Sequence, residues 1–116
     1  MAKEKLIEFS TNFAVEIINL VKVLNSDKEF IISNQIGRSG TSIGANIHEA
    51  QYAQSKADFI SKLQIALKES NETSYWLKIL LKTNYISSDV HSRLELTCGK
   101  IRKMLISSIM TAKSSM

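Results

Sequence analysis

The 116-residue sequence has no proline, a single cysteine and only four glycines. A β-sandwich or barrel of this length normally needs more turn-forming residues, so the composition favours a few long helices. One cysteine cannot form an internal disulfide, and it excludes a metal site built on a cysteine cluster. The chain also lacks the run of about 18 apolar residues that a membrane span needs, and its N-terminal stretch lacks the apolar segment of a signal peptide. We therefore expect a cytoplasmic protein without membrane contact.

Charge is distributed unevenly along the chain. Residues 1–99 contain all 11 acidic residues and 11 of the 15 basic residues, so the net charge of +4 comes from the C-terminal stretch. The four cations there are Lys100, Arg102, Lys103 and Lys113. This asymmetry is typical of a contact with a polyanion such as RNA. Cations near the C-terminal end of a helix dipole explain it equally well.

Apolar residues recur at spacings of three and four, which predicts amphipathic helices. We place four of them at about residues 3–24, 28–51, 55–83 and 88–112. The polar segment 25–27 forms the first predicted joint, and Ser55 with Asp58 resembles a capping box at the start of the third helix. Short joints make successive helices antiparallel. The predicted fold is all-α: one up-down-up-down four-helix bundle spanning residues 1–116.

Two helices carry more apolar surface than a single bundle needs. The second stripe of helix one contains Ile7, Ala14, Ile18 and Val21, and helix three carries Ile65, Trp76, Ile79 and Leu80 away from its core stripe. Surplus apolar stripes indicate subunit interfaces, so we expect a homo-oligomer. The alternative is a monomer in which helix one is central in the packing.

Gly37, Gly40 and Gly44 lie within one helix, on a narrow arc beside its isoleucine stripe. Each glycine costs about 0.5–1 kcal/mol relative to alanine there, so three together need a reason. The pattern predicts close approach of another helix backbone. It matches neither phosphate-binding glycine motif, and no strand precedes it.

Catalytic and metal chemistry find no support in the residue pattern. A di-iron bundle needs Glu-x-x-His motifs on two helices, and neither His48 nor His91 belongs to one. No Ser, Thr or Cys has a recognisable general base and orienting group, and Cys98 is predicted to be a buried, inert thiol. We expect neither a metal, nor a cofactor, nor an enzyme activity.

Polar residues on helices two and three form one constellation. Its members are Arg38, Ser42, Asn46, Glu49, Glu69 and Glu72. Helical spacing puts Arg38, Ser42 and Glu49 on one face, and makes Glu69 and Glu72 candidate partners for Arg38. We interpret the set as structural pairs that fix helix register or subunit contacts. A ligand or nucleic-acid site is the alternative.

The same region carries a family resemblance. Residues 35–50 read QIGRSGTSIGANIHEA, and residues 55–72 contain a Ser-x-x-Asp-Phe-Ile start followed by Leu63, Ile65-Ala66 and Glu72. This combination resembles the signature of the S23-like family, bacterial four-helix bundle proteins encoded within intervening sequences of 23S ribosomal RNA genes. One departure is Ala50, at the predicted C-terminal end of helix two, where the family usually has glycine.

The resemblance implies a ring-like homopentamer. It also implies similarity to the accessory proteins of diversity-generating retroelements, which are basic pentameric bundles that associate with a reverse transcriptase and nucleic acid. We therefore expect a non-enzymatic oligomer that binds RNA or another nucleic acid through the four C-terminal cations, or that acts as such an accessory protein. The alternative is a protein-interaction scaffold that contacts no nucleic acid.

Overall fold

The computed structural model describes residues 2–115, which form four α-helices joined by short loops, with no strand in that range. The helices are α1 (Ala2–Ser26), α2 (Ile31–Ala50), α3 (Lys56–Lys82) and α4 (Ser88–Ser114). The all-α prediction is therefore confirmed. Within residues 2–115 no helix is both long enough and apolar enough to cross a membrane.

The first joint lies later in the chain than its polar residues predict. Helix α1 continues through Ser26, and α2 begins at Ile31, three residues beyond the predicted start. Lys28 adopts a left-handed backbone conformation (φ 62°), which turns the chain. The Glu29 carboxylate then accepts hydrogen bonds from the backbone N–H groups of Ile32 (2.8 Å) and Ser33 (3.0 Å). Glu29 thus satisfies two of the free N–H groups at the start of α2.

The other two helix starts agree with the sequence. Ser55 precedes α3, and its Oγ accepts a hydrogen bond from the Asp58 N–H at 3.1 Å. Ser87 precedes α4, and its Oγ accepts one from the Val90 N–H at 3.2 Å. Both serines have extended backbones, as N-cap residues do.

One apolar core is shared by all four helices. Its fully buried large side chains are Phe13, Ile17, Leu24, Ile36, Ile43, Ile47, Leu63, Leu77, Leu80, Leu94, Ile101 and Leu105. Leu80 belongs to this core, so its assignment to a separate stripe of α3 is wrong. On α1, Ile7 and Val21 also pack against the core, while Ile18 is exposed. Most of the second α1 stripe is therefore internal, because α1 contacts both α2 and α4.

The helices lie side by side along one long axis. The molecule measures 47 × 22 × 20 Å, and a helix of 27 residues is about 40 Å long. Helix α2 contacts α1 and α3, and α4 contacts α3 and α1, with the α1–α4 contact the least extensive. Along the α1–α2 contact, Gly37 faces Val21 and Gly40 faces Ile17.

Candidate functional site

The polar constellation is centred on Arg38, which reaches from α2 to α3. Its guanidinium donates to Glu69 Oε2 at 3.0 Å and also to Glu72 Oε2. The Trp76 indole N–H donates to the same Glu72 oxygen at 3.0 Å. The structure thus brings Arg38 together with the two carboxylates that helical spacing selected, and adds an indole that the sequence analysis had placed in an apolar stripe.

Charge-assisted hydrogen bonds set the electrostatics of this cluster. The indole of Trp76 and then the guanidinium of Arg38 lower the pKa of Glu72 below its ordinary value, because both donate to the ionised carboxylate. The Glu72 hydrogen bond raises the pKa of Arg38. The Arg38 side chain is 49% exposed and that of Glu72 30%, so water screens the pair. The cluster joins α2 to α3 at the surface.

The remaining members of the constellation do not join this cluster. Ser42 donates to the Arg38 carbonyl and Asn46 donates to the Ser42 carbonyl, so both bond within α2. Glu49 lies 3.4 Å from Lys62 Nζ on α3, an exposed ion pair.

A buried polar pair beside the cluster escaped the sequence analysis. Ser39 and Thr73 are both buried, and their hydroxyl oxygens are 2.9 Å apart. The Thr73 hydroxyl is also 2.8 Å from the Glu69 carbonyl oxygen. Because one hydroxyl has one proton, the consistent arrangement is that Thr73 donates to the carbonyl and accepts from Ser39. The signal for this pair in the sequence is a small polar residue at a position where helical spacing predicts the buried face.

The glycines of α2 lie against α1. A Cβ atom at Gly40 would be 2.8 Å from Ile17 Cγ1, and one at Gly44 would be 3.2 Å from the backbone oxygen of Ser10. A Cβ at Gly37 would meet Val21 Cγ2 at 3.3 Å. The three positions therefore line the α1–α2 contact, and Gly40 tolerates a side chain least.

The four C-terminal cations do not form one surface. Arg102 faces α3, where its Nε donates to Asn71 Oδ1 at 3.0 Å and a terminal nitrogen donates to Ser74 Oγ. It also pairs with Glu95 at 3.6 Å. The Arg102 side chain therefore already has its partners at the α3–α4 contact. Lys113 lies about 20 Å further along the axis than Lys100 and on a different side of α4.

Lys100 and Lys103 instead gather with a lysine from α1. Together with Lys5 they line a shallow depression whose apolar wall is formed by Phe9 and Met104. None of the three lysines has an ion-pair partner among residues 2–115. Lys5 was missed because its sequence neighbours include Glu4 and Glu8, which balance the charge of the N-terminal stretch.

The solvent side of α4 carries an apolar stripe that sequence analysis also missed. We define the α4 outer stripe as Leu96, Gly99, Lys103, Ile106, Met110 and Lys113, which follow each other at spacings of three and four. Leu96, Ile106 and Met110 are 62%, 42% and 66% exposed. Two lysines and a glycine interrupt the apolar pattern in sequence, so the stripe becomes evident only once the opposite face of α4 is seen in the core.

Cys98 is the one cysteine, and it is buried between α3 and α4. Its thiol donates to the Ser70 carbonyl oxygen at 3.4 Å, and burial raises its pKa above the ordinary value. Within residues 2–115 no group of His, Cys, Asp or Glu side chains is arranged to hold a metal ion.

Comparison with known proteins identifies relatives of this chain. Residues 3–107 match the model of a family described as 23S rRNA-intervening sequence protein. Curated protein sequences contain no match. A crystal structure at 1.70 Å resolution, from Bacteroides thetaiotaomicron, is similar in fold with a TM-score of 0.92 and 52% sequence identity. That similarity covers 95% of this chain and 99% of the other, which is described as a protein of unknown function from the S23 ribosomal protein family.

The resemblance read from residues 35–50 and 55–72 is thereby confirmed. The family match includes the whole of α2 and α3, and with them the Arg38 cluster and the α2 glycines. The chain belongs to the 23S rRNA-intervening sequence protein family.

Proposed function

We propose that this protein is an antiparallel four-helix bundle that works in the cytoplasm as a ring-like homo-oligomeric binding protein and not as an enzyme. The order of contacts supports the antiparallel arrangement. Ser10 of α1 lies by Gly44 of α2, and Val21 lies by Gly37. Residue numbers therefore rise along one helix as they fall along the other. The α3–α4 contact has the same order, since Lys56 bonds Ser115 and Asn71 bonds Arg102.

The observation that carries the oligomer is the α4 outer stripe. Its large apolar side chains are exposed on a helix whose opposite face already fills the core. Contact between water and such an apolar stripe is unfavourable. Burial of the stripe against another protein surface removes that contact. Five copies in a ring is the number that the S23-like resemblance implies.

The experiment that tests this proposal is a mass measurement in solution. Light scattering on the purified chain at tens of micromolar is expected to give several times the monomer mass of 13.0 kDa. A mass of 13.0 kDa at that concentration overturns the oligomer.

Nucleic acid is a second candidate partner, and the Lys5–Lys100–Lys103 cluster favours it. Unpaired lysines beside a shallow depression bind phosphates through counterion release, without base specificity. The retroelement accessory proteins implied by the resemblance would use such a surface together with a reverse transcriptase. The competing proposal is a scaffold that binds protein only.

A titration separates these two candidates. We expect a fluorescently labelled RNA hairpin to bind with a Kd of about 10⁻⁴ to 10⁻⁶ M at moderate salt, and more weakly as salt rises. The double variant Lys5→Glu and Lys100→Glu should abolish binding, whereas Lys68→Glu, at an exposed lysine of α3, should reduce it little. Absence of binding even at low salt favours the protein scaffold.

A further inference from the structure

We propose that the α4 outer stripe of one copy binds the outer face of α1 from a second copy, and that this head-to-tail contact builds the oligomer. The inference rests on the proposed oligomeric function and specifies its interface. Helix α1 carries a second exposed stripe with the same residue spacing as the α4 outer stripe. We define the α1 outer stripe as Glu4, Glu8, Thr11, Val15, Ile18 and Lys22, all of which are exposed.

The two stripes match in spacing and width. Each repeats at alternating intervals of three and four residues, the spacing of helices that pack side by side. At 100° per residue each occupies an arc of roughly 80–100°. Each stripe has apolar side chains at its middle, Val15 and Ile18 on α1 and Ile106 and Met110 on α4. An α1–α4 pair between copies can therefore interlock along its length.

In one register the two stripes pair opposite charges at one end, while Lys103 faces Ile18. In a ring whose axis is parallel to the helices, α1 of one copy runs antiparallel to α4 of the next. With Val15 against Ile106, one heptad (about 10.5 Å) towards the start of α1 brings Glu8 opposite Lys113. Neither Glu8 nor Lys113 has an ion-pair partner among residues 2–115, so each is available.

One heptad in the other direction brings Lys22 opposite Gly99. Gly99 lies in a depression that Glu95, Leu96, Lys100 and Lys103 also line. A Cβ at Gly99 would have only Arg102 Nη1 within 4 Å, at 3.7 Å, so the space there is open. The Glu95 carboxylate there already pairs with Arg102, and two lysines share the depression, so this end supplies space for Lys22 and the charge match lies at Glu8 and Lys113.

Two other pairings balance or bury less of the two stripes. Two α4 outer stripes facing each other would juxtapose lysines, since α4 has no acidic residue after Glu95. Two antiparallel α1 outer stripes with Val15 against Val15 would pair Glu8 with Lys22, but they would leave the apolar side chains of the α4 outer stripe exposed. The α1–α4 pair is heterologous, so every copy offers one stripe of each kind, and assembly closes into a ring or continues as a filament.

A mixing experiment tests the head-to-tail contact directly. Val15→Glu destroys the α1 stripe but keeps the α4 stripe, and Ile106→Glu does the reverse. Native mass spectrometry should show each variant alone as a monomer and an equimolar mixture as a one-to-one dimer that grows no further. Ile31→Glu is the control, because Ile31 at the start of α2 is exposed (78%) and lies on none of these apolar stripes. It should assemble like wild type.

The possible outcomes distinguish this inference from the oligomer itself. If wild type is monomeric, the proposed oligomer and its interface both fail. If wild type is oligomeric and both glutamate variants assemble normally, the oligomer stands and this interface is wrong. If both variants are monomeric and their mixture does not dimerise, the head-to-tail pairing is overturned.

A charge exchange tests the register. Glu8→Lys or Lys113→Glu alone should weaken association about threefold or more per contact, the effect expected for losing an exposed ion pair. The double variant, with both charges reversed, should recover wild-type association. If the double variant associates no more tightly than the single variants, the register with Val15 against Ile106 is contradicted.

Discussion

Gly40 lies against Ile17 so closely that a Cβ atom at position 40 would come within 2.8 Å of Ile17 Cγ1 and 2.9 Å of Cγ2. Ile17 is fully buried and β-branched, so its side chain cannot rotate out of the way. The absence of a side chain at Gly40 therefore sets the separation of α1 and α2.

Gly40→Ala should consequently destabilise the protein. Overpacking costs about 1–3 kcal/mol, which outweighs the gain of about 1 kcal/mol from replacing a helical glycine. Urea unfolding followed by circular dichroism, at one fixed protein concentration, measures the loss. Gly37→Ala is the comparison, since a Cβ there would meet only Val21 Cγ2, at 3.3 Å, and it should cost less. Equal stability of the two variants would show that α1 and α2 can separate without cost.

The buried hydroxyl pair provides a second test. Thr73→Val should lower the free energy of unfolding by about 1–3 kcal/mol, because the buried Ser39 hydroxyl loses its acceptor. Adding Ser39→Ala to Thr73→Val removes that unsatisfied group, so the double variant should lose less than the sum of the single losses. Strictly additive losses in a double-mutant cycle would mean that the two hydroxyls do not interact.

Arg38 should make a modest, pH-dependent contribution. Full burial of Arg38 would make its loss cost about 3–5 kcal/mol. Because its side chain is half exposed, we expect Arg38→Ala to lower the free energy of unfolding by only about 1 kcal/mol at neutral pH. Lys62→Ala, which removes the exposed partner of Glu49, should cost less.

The sign of the pH effect follows from Glu72. Its pKa is lower in the folded protein than in the unfolded chain, so its stabilisation is present above the ordinary glutamate pKa of about 4.3 and is lost as the pH falls through the folded value. The difference between wild type and Arg38→Ala should therefore shrink in acid. A difference that stays constant from pH 7 down to pH 2 would exclude the ion pair as its source.

Cys98 should react slowly while the protein is folded. Burial keeps its thiol protonated, and the thiolate is the reactive form. Modification by a chromogenic disulfide reagent requires local opening, so we expect it to be at least about a hundredfold slower in native than in denatured protein. Immediate reaction of the native protein would show that α3 and α4 separate readily in solution.

Much of the fold could be predicted from the sequence because its apolar spacing is regular. The starts of α3 and α4 were predictable for the same local reason: Ser55 and Ser87 cap the helices that follow them. The start of α2 was not, because Glu29 caps it from outside the usual cap position and Lys28 takes a left-handed conformation without being glycine. Both features depend on the way that the chain turns between packed helices.

The candidate surfaces were harder to predict. Helical spacing was enough to select Glu69 and Glu72 as partners of Arg38, since the three residues lie on facing helices. It could not show that Arg102 is drawn towards Glu95 and Asn71, which depends on the rotation of α4 in the bundle. The same rotation exposes Ile106 and Met110.

We expect the exposed faces of α1 and α4 to make this protein an oligomer. The most direct measurement is native mass spectrometry of wild type beside Val15→Glu, Ile106→Glu and their equimolar mixture. We expect a wild-type mass several times 13.0 kDa, monomers for each variant alone, and a dimer of twice the monomer mass for the mixture. Wild type at 13.0 kDa, or variants that assemble as wild type does, would contradict it.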